Sequence, residues 1–263
     1  VSDLDDVRRD LLVEQHSLDA VMTSLSDEQW FLDTPSIGWS VADQIGHLSF
    51  FDHTAALAIR DPEQFKVSTR ELFEGAVARG ADEYMLSGFR AMTPAAQLNT
   101  WRTNRGELEE ASATLANDAR VAWYGPSMGA TSFLTARLME VWAHGTDIID
   151  ALGLTREPSD RLRHIAQLGF ITRKWSYVVR GEEPLAGDVR LELVSPSDQL
   201  WTWGPEVASD TVRGTAEDFC LVVTQRRHLD DTSLETGELA RHWLLRAQAF
   251  AGAPTNGPVE RKK

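Results

Sequence analysis

The chain has 263 residues, enough to bury a real core in one large domain or two modest ones. Its 26 Lys and Arg against 40 Asp and Glu give a net charge of −14. That sign argues against nucleic-acid partners and anionic membrane surfaces, and no apolar run approaches the ~18 residues of a membrane span. The acidic N-terminus, Val1 to Asp6, lacks the basic and apolar regions of a signal peptide, and the single Cys220 rules out an intramolecular disulfide. A cytoplasmic, bacterial-type protein is the expectation, monomeric or homodimeric.

Ser2 to about Leu25 reads as a first helix, capped by Ser2, with Asp3, Asp5 and Asp6 at its positive end. Ser26 to Trp30 is a short helical turn, and Phe31 to Gly38 is a loop. Ser40 is a good N-cap for a second helix, with Asp43 completing a capping box. Val41, Ile45, His47, Leu48 and Phe51 share its inward arc, and Asp61-Pro62 ends it. Ser68 to about Ser87 is expected to be helical, although Gly75 and Gly80 weaken that reading. Pro94 to about Ala119 is a long polar helix with Leu98, Trp101, Leu108 and Leu115 on its apolar side. Trp123 to Gly129 is an aromatic loop, and about Ala130 to Leu152 is a helix stopped by Gly153. Four main antiparallel helices with one helix-rich crossing make a bundle.

A break at Thr155 to Ser159 follows. Asp160 to about Arg180 is another helix; then the period changes from helical to alternating. Val189–Val194, Leu200–Trp203 and Asp210–Arg213 read as strands. Helices are expected over Ala216 to about Arg227, carrying Cys220, and over about Gly237 to Phe250. The fold class is therefore mainly α: a four-helix bundle over 1–154, a small α+β domain over 155–252, and a flexible tail over 253–263.

The stretch from Arg137 to Asp150 carries the chemistry. Glu140 and His144 are four residues apart, on one face of an apolar helix. A carboxylate and an imidazole so placed are half of a divalent-metal site, and His47 on the second helix is the candidate third ligand. Two imidazoles and a carboxylate leave a fourth position open for water, a thiol or a carbonyl oxygen. Asp43 and Asp147 are candidates to orient a ring or to pair with an arginine. A lone Glu-x-x-x-His pair is more often structural than ligating; its conjunction with His47 on a separate core helix is what raises the metal reading. Trp39 and Trp142 flank these ligands, as core or as pocket wall, while Trp123, Tyr124 and Met128 are placed to line the mouth. Cys220, on an apolar helix face, reads as a small buried hydrophobe.

The run Trp39-Ser40-x-x-Asp43-x-x-x-His47-Leu48 resembles the signature of DinB-like metal-binding bundles. The run Glu140-Val-Trp-Ala-His144-Gly-Thr-Asp147 is similar to the second signature of one branch, the mycothiol-dependent maleylpyruvate isomerase family of actinobacteria. The resemblance covers nearly the whole chain. It implies a DinB-like bundle followed by a sterol-carrier-like α+β domain. It also implies a divalent ion such as zinc on His47, Glu140 and His144, and mycothiol as a thiol cofactor. By the same resemblance Arg226 falls where the family's active-site arginine would hold a substrate carboxylate. Gln225 replaces the family's glycine and Arg227 stands beside it, so the choice between Arg226 and Arg227 stays open.

The expected activity is isomerisation or S-transfer on a small electrophilic, carboxylate-bearing metabolite. Alternatives are a hydrolase or lyase using metal-bound water, or a non-catalytic small-molecule-binding protein.

Overall fold

The computed structural model describes residues 3–260. The chain divides into two compact units, Val1–Arg156 and Glu157–Lys263. The first is a four-helix bundle. Its long helices are α1 (Leu4–Thr23), α2 (Val41–Arg60), α5 (Pro94–Ser112) and α6 (Ala130–Leu152). Two shorter helices, α3 (Pro62–Arg79) and α4 (Ala81–Arg90), make the connection from α2 to α5. The core is built from apolar side chains of these helices: Leu4, Val7, Leu11, Leu18 and Met22 of α1, Val41, Ile45 and Leu48 of α2, and Phe133, Leu134 and Leu138 of α6 are all buried.

Each helix end has a local cause. Ser2, expected to cap α1, lies outside the described residues; Asp3 occupies the N-cap position and makes no side-chain cap bond. Ser40 and Asp43 close the expected capping box on α2: the Ser40 hydroxyl accepts from the Asp43 amide, and the Asp43 carboxylate accepts from the Ser40 amide. Asp61 then ends α2 and caps α3, with Pro62 in the first helical position, where its missing N–H costs nothing. The expected helix over 68–87 is corrected to two. Helix α3 begins six residues earlier and runs through Gly75, and the chain breaks at Gly80, whose φ of +90° lies outside helical space. Helix α5 stops at Ser112, short of the expected Ala119. Gly153 ends α6 in the left-handed region at φ +63°.

Helices α2 and α5 approach closely at Gly46. A Cβ there would lie 3.1 Å from both Gln97 Nε2 and Phe89 Cβ. The same Gln97 amide donates to the carbonyl of Ala42, fixing α5 on the N-terminal half of α2. The aromatic loop is bracketed by a two-residue antiparallel ladder, β1 (Arg120–Val121) with β2 (Met128–Gly129), which leads straight into α6.

The second unit is α+β. Strands β3 (Val189–Val194) and β4 (Leu200–Trp203) have the expected bounds, and β5 runs Asp210–Thr215. A short β6 (Glu235–Thr236), absent from the sequence reading, completes a sheet in the order β4-β3-β5-β6. Strand β3 pairs antiparallel with β4 and parallel with β5. Its alternation puts Val189, Leu191 and Leu193 into the core. The helices are shorter than their apolar patterns suggest. The expected helix over 160–180 is two, α7 (Leu162–Ile171) and α8 (Arg173–Val178), and α9 (Ala216–Val223) and α10 (Glu238–Leu244) stop early. The segment from Ala253, read as a tail by composition, is fastened at Thr255. There the Arg180 guanidinium donates to the carbonyl, and the amide donates to Gln248 Oε1 at 3.1 Å.

Candidate metal centre

Helix α2 carries His47 and α6 carries Glu140 and His144. The three side chains converge: one donor atom from each lies within 4.8 Å of the other two. Among the described residues this is the one cluster of three or more His, Cys, Asp or Glu side chains with such geometry. The Nε2 atoms of both imidazoles face a single carboxylate oxygen, Glu140 Oε2, at 3.0 Å from His144 and 3.5 Å from His47. The two rings sit 4.3 Å apart, centroid to centroid. His144 is buried, and His47 and Glu140 are half-buried.

This donor set fits a divalent ion. Two nitrogen lone pairs and one carboxylate oxygen, aimed at a common point from two rigid helices, are a three-residue zinc-type set. Burial disfavours ionisation of Glu140, but hydrogen bonds to His144 and His47, and the charge those rings can carry, outweigh it. The carboxyl is held well below the usual carboxylate range. It is therefore available as an anionic ligand.

The rings are held by different means. His47 is packed between aromatic side chains, with Phe51 at 4.7 Å and Trp39 at 5.1 Å between centroids. Its Nδ1 is buried and has no hydrogen-bond partner among the described residues. His144 is held by a hydrogen bond, its Nδ1 meeting Oε1 of the fully buried Gln44. Trp39 stacks on His144 at 5.9 Å and 17°, and its indole N–H donates to Asp82 at 2.8 Å. Of the two flanking tryptophans, Trp39 is half-buried against both histidines. Trp142, 5% exposed, is core. Beyond Phe51 the aromatic loop joins in: Trp123 and Tyr124 pack against Phe51, Phe65 and each other. Burial pushes the Tyr124 phenol above its usual range, so it stays protonated.

The two candidate supporting carboxylates, Asp43 and Asp147, have identifiable partners. Asp43 takes the arginine-pairing option: it binds Arg90 at 2.8 Å while capping α2. Burial raises its carboxyl, but the Arg90 and Ser40 hydrogen bonds win, and it ends below the ordinary value. Asp147 accepts from the Ser36 hydroxyl at 3.0 Å. The ring-orienting role belongs to Gln44, which the sequence reading passed over. Its signal was an amide on the core-facing arc of α2, one turn before His47.

In the second unit, Arg226 follows the C-terminal end of α9, with its guanidinium donating to the Thr224 carbonyl at 2.6 Å. Arg227 donates to the Arg226 carbonyl at 2.8 Å. Gln225 takes a positive φ of 60°, the backbone state for which glycine is the easy residue. Cys220 is fully buried and burial pushes its thiol well up, which makes it an inert core residue.

A four-helix bundle with a His/Glu/His cluster, followed by a small α+β unit, defines the class. The family described as "Mycothiol maleylpyruvate isomerase N-terminal domain" matches residues 11–149, and the chain belongs to it. Two relatives from strains of Mycobacterium tuberculosis, each called an uncharacterized protein, are 43% identical over 251 residues. The match covers 94% of this chain and 96% of each relative. Crystal structures of the mycothiol-dependent maleylpyruvate isomerase and of a mutant form share the fold, with a TM-score of 0.59 over 89% of this chain and 93% of theirs. Sequence identity to them is 16% and 15%, so that likeness is one of fold.

Proposed function

We propose that the chain is a thiol-dependent isomerase whose bundle holds a divalent ion, zinc by donor type, on His47, Glu140 and His144. The observation that carries this reading is the meeting of two imidazole Nε2 atoms and one carboxylate oxygen from α2 and α6. When bound, such an ion would hold a low-molecular-weight thiol, mycothiol by family, in its nucleophilic thiolate form. The reaction class is addition to an activated cis double bond, rotation about the resulting single bond, and elimination to the trans product.

The chain's own residues do the rest. Glu140 stays ionised and contributes negative charge to the ligand set. Trp39 and Phe51 wall the two histidines and exclude water from one side. Arg226 is the proposed holder of a substrate carboxylate, since its planar fork of donors suits that group. The support for Arg226 is its position in the motif; Arg227 is the control.

The test is elemental analysis of the purified protein and of His144→Ala, followed by titration of the cobalt-substituted protein with mycothiol. Near-stoichiometric metal in the parent, its loss in the variant, and a new thiolate-to-cobalt absorption band are expected. Undiminished metal in His144→Ala would overturn the ligand set. A metal-bearing protein whose spectrum no thiol changes would overturn the thiol reading.

A further inference from the structure

Helix α9 ends in a Schellman turn. The Gln225 amide donates to the Val222 carbonyl at 3.0 Å, and the Arg226 amide donates to the Leu221 carbonyl at 2.7 Å. Gln225 sits in the turn at φ 60°. A Cβ crowds its own backbone in that region, so glycine is the usual occupant and glutamine carries a cost.

The offset comes from what the side chain holds. Both Nε2 protons of Gln225 are used, on the carbonyls of Ala247 at 2.9 Å and Thr255 at 3.3 Å. Its Oε1 accepts the Thr255 hydroxyl at 2.5 Å. The backbone then passes over the same side chain: a Cβ on Gly257 would lie 3.4 Å from Gln225 Cγ. Gln248, fully buried, holds this segment as well. Its oxygen accepts the Thr255 amide at 3.1 Å, and its nitrogen donates to the Ala253 carbonyl at 3.1 Å. One residue on, the Ala249 amide donates to the Val223 carbonyl at 3.0 Å, so the approach to the segment also closes the end of α9. Arg226 follows directly. Its amide completes the turn and its guanidinium donates to the Thr224 carbonyl at 2.6 Å, so main chain and side chain are both tied to the turn.

We propose that residues 253–257 are a strap that, through Gln225, holds the turn carrying Arg226. Gln225 and Thr255 are then positioning residues for that arginine. Where a glycine would leave the turn free, this chain fixes it with its own C-terminal segment. The coupling stands on the hydrogen bonds alone; its consequence for substrate rests on the reading of Arg226 as the holder of a carboxylate. A guanidinium already set in place loses less freedom when a carboxylate binds, so affinity for that group depends on the strap.

The experiment uses the full chain and three variants, each checked for folding by circular dichroism. Thr255→Val removes one hydroxyl, 30 positions from Gln225. It should speed amide exchange at Gln225 and Arg226 about 2- to 10-fold, as loss of a hydrogen bond implies. It should also shift the Arg226 Nε–H signal in ¹⁵N–¹H NMR. Gln225→Gly should speed exchange across 253–257 yet melt close to the parent, because relief of strain offsets the lost bonds. Gln225→Ala keeps the strain, loses the bonds and should melt lowest. Unchanged exchange at Gln225 and Arg226 in folded Thr255→Val, or an unmoved Arg226 Nε–H signal, would overturn the proposal. So would unchanged exchange across 253–257 in Gln225→Gly. Maleate, a cis diacid, tests the consequence on the same Nε–H signal: Thr255→Val should bind it about 2- to 10-fold more weakly, with metal content unchanged. If maleate leaves the parent's Arg226 signal unmoved, the carboxylate reading of Arg226 fails, while the exchange measurements still decide the strap.

Discussion

At the scale of single residues, the bundle buries charge in pairs: Arg137 with Asp52, Arg156 with Glu14, and Asp19 with Arg102 and Arg105. One turn below the metal candidates, Arg137 of α6 donates to Asp52 of α2 at 2.9 Å, with the two side chains 3% and 0% exposed. The other Asp52 oxygen accepts from Trp101 Nε1 at 3.2 Å and Gln15 Nε2 at 3.4 Å, so four helices meet on one carboxylate. Burial nevertheless outweighs Arg137 and raises the Asp52 carboxyl above its ordinary value. Removing the arginine would strand the carboxylate, so Arg137→Leu should lower stability by about 3–5 kcal/mol in urea unfolding. Replacing both partners by leucine should cost less than that single change, since no lone charge is left buried. Asp19 titrates the opposite way. The Arg102 hydrogen bond leads, and with the Arg105 charge and Thr23 it overcomes burial and lowers the carboxyl. A depressed folded value contributes stability above the unfolded value, and that contribution disappears as pH falls through the folded one. Asp19→Asn should therefore be less stable than the parent near neutrality, with the gap closing below about pH 4. A gap that does not narrow in acid would mean that shape, not charge, is what Asp19 supplies.

Between residues and the whole chain stand the helices and their joins. The helices that carry the candidate ligands were readable because their information is local: a capping box at Ser40 and Asp43, an apolar face, and Glu140 and His144 one turn apart. Strands β3 and β4 were readable for the same reason, since alternation with period two is visible in six residues. The joins were not. The break between α3 and α4 depends on Gly80 adopting φ +90°, which composition suggests but does not demand. Gln44 was overlooked because its partner His144 lies 100 positions away, and no local pattern announces it. Strand β6 is two residues long and exists only by pairing with β5. Gly75 was read as a flaw in a helix, whereas its neighbour explains it. A Cβ there would come within 2.0 Å of the Tyr84 ring, which Arg79 covers from 5.3 Å. Helix interiors usually gain about 0.5–1 kcal/mol from Gly→Ala. At Gly75 overpacking of about 1–3 kcal/mol opposes that gain. Gly75→Ala should therefore destabilise, while Gly88→Ala in α4, with nothing within 4 Å, should stabilise. Thermal melts of the two variants, read side by side, check the sign. A stabilised Gly75→Ala would mean that α3 and α4 separate at little cost.

Across the molecule, the division into two units assigns different physics to each. The three candidate ligands all lie within Val1–Arg156, on α2 and α6, while Arg226 and the four-stranded sheet lie in the second unit. No helix among the described residues is long and apolar enough to cross a membrane. An ion that binds only the folded bundle stabilises it by mass action, about 2.7 kcal/mol at a concentration one hundred times its Kd. That stabilisation belongs first to the elements that carry the ligands, because they must open to release the ion. Peptide-resolved hydrogen exchange with and without zinc should therefore show slowed exchange in α2 (Val41–Arg60) and α6 (Ala130–Leu152), with much smaller changes across β3 to β5. The slowing should vanish in His47→Ala and return to the metal-free level when a chelator is added to the parent. Equal slowing in both units would mean that the ion's stabilisation is shared by the whole chain. Slowing in neither would remove His47, Glu140 and His144 as ligands, because an ion held between two helices cannot leave their opening unchanged.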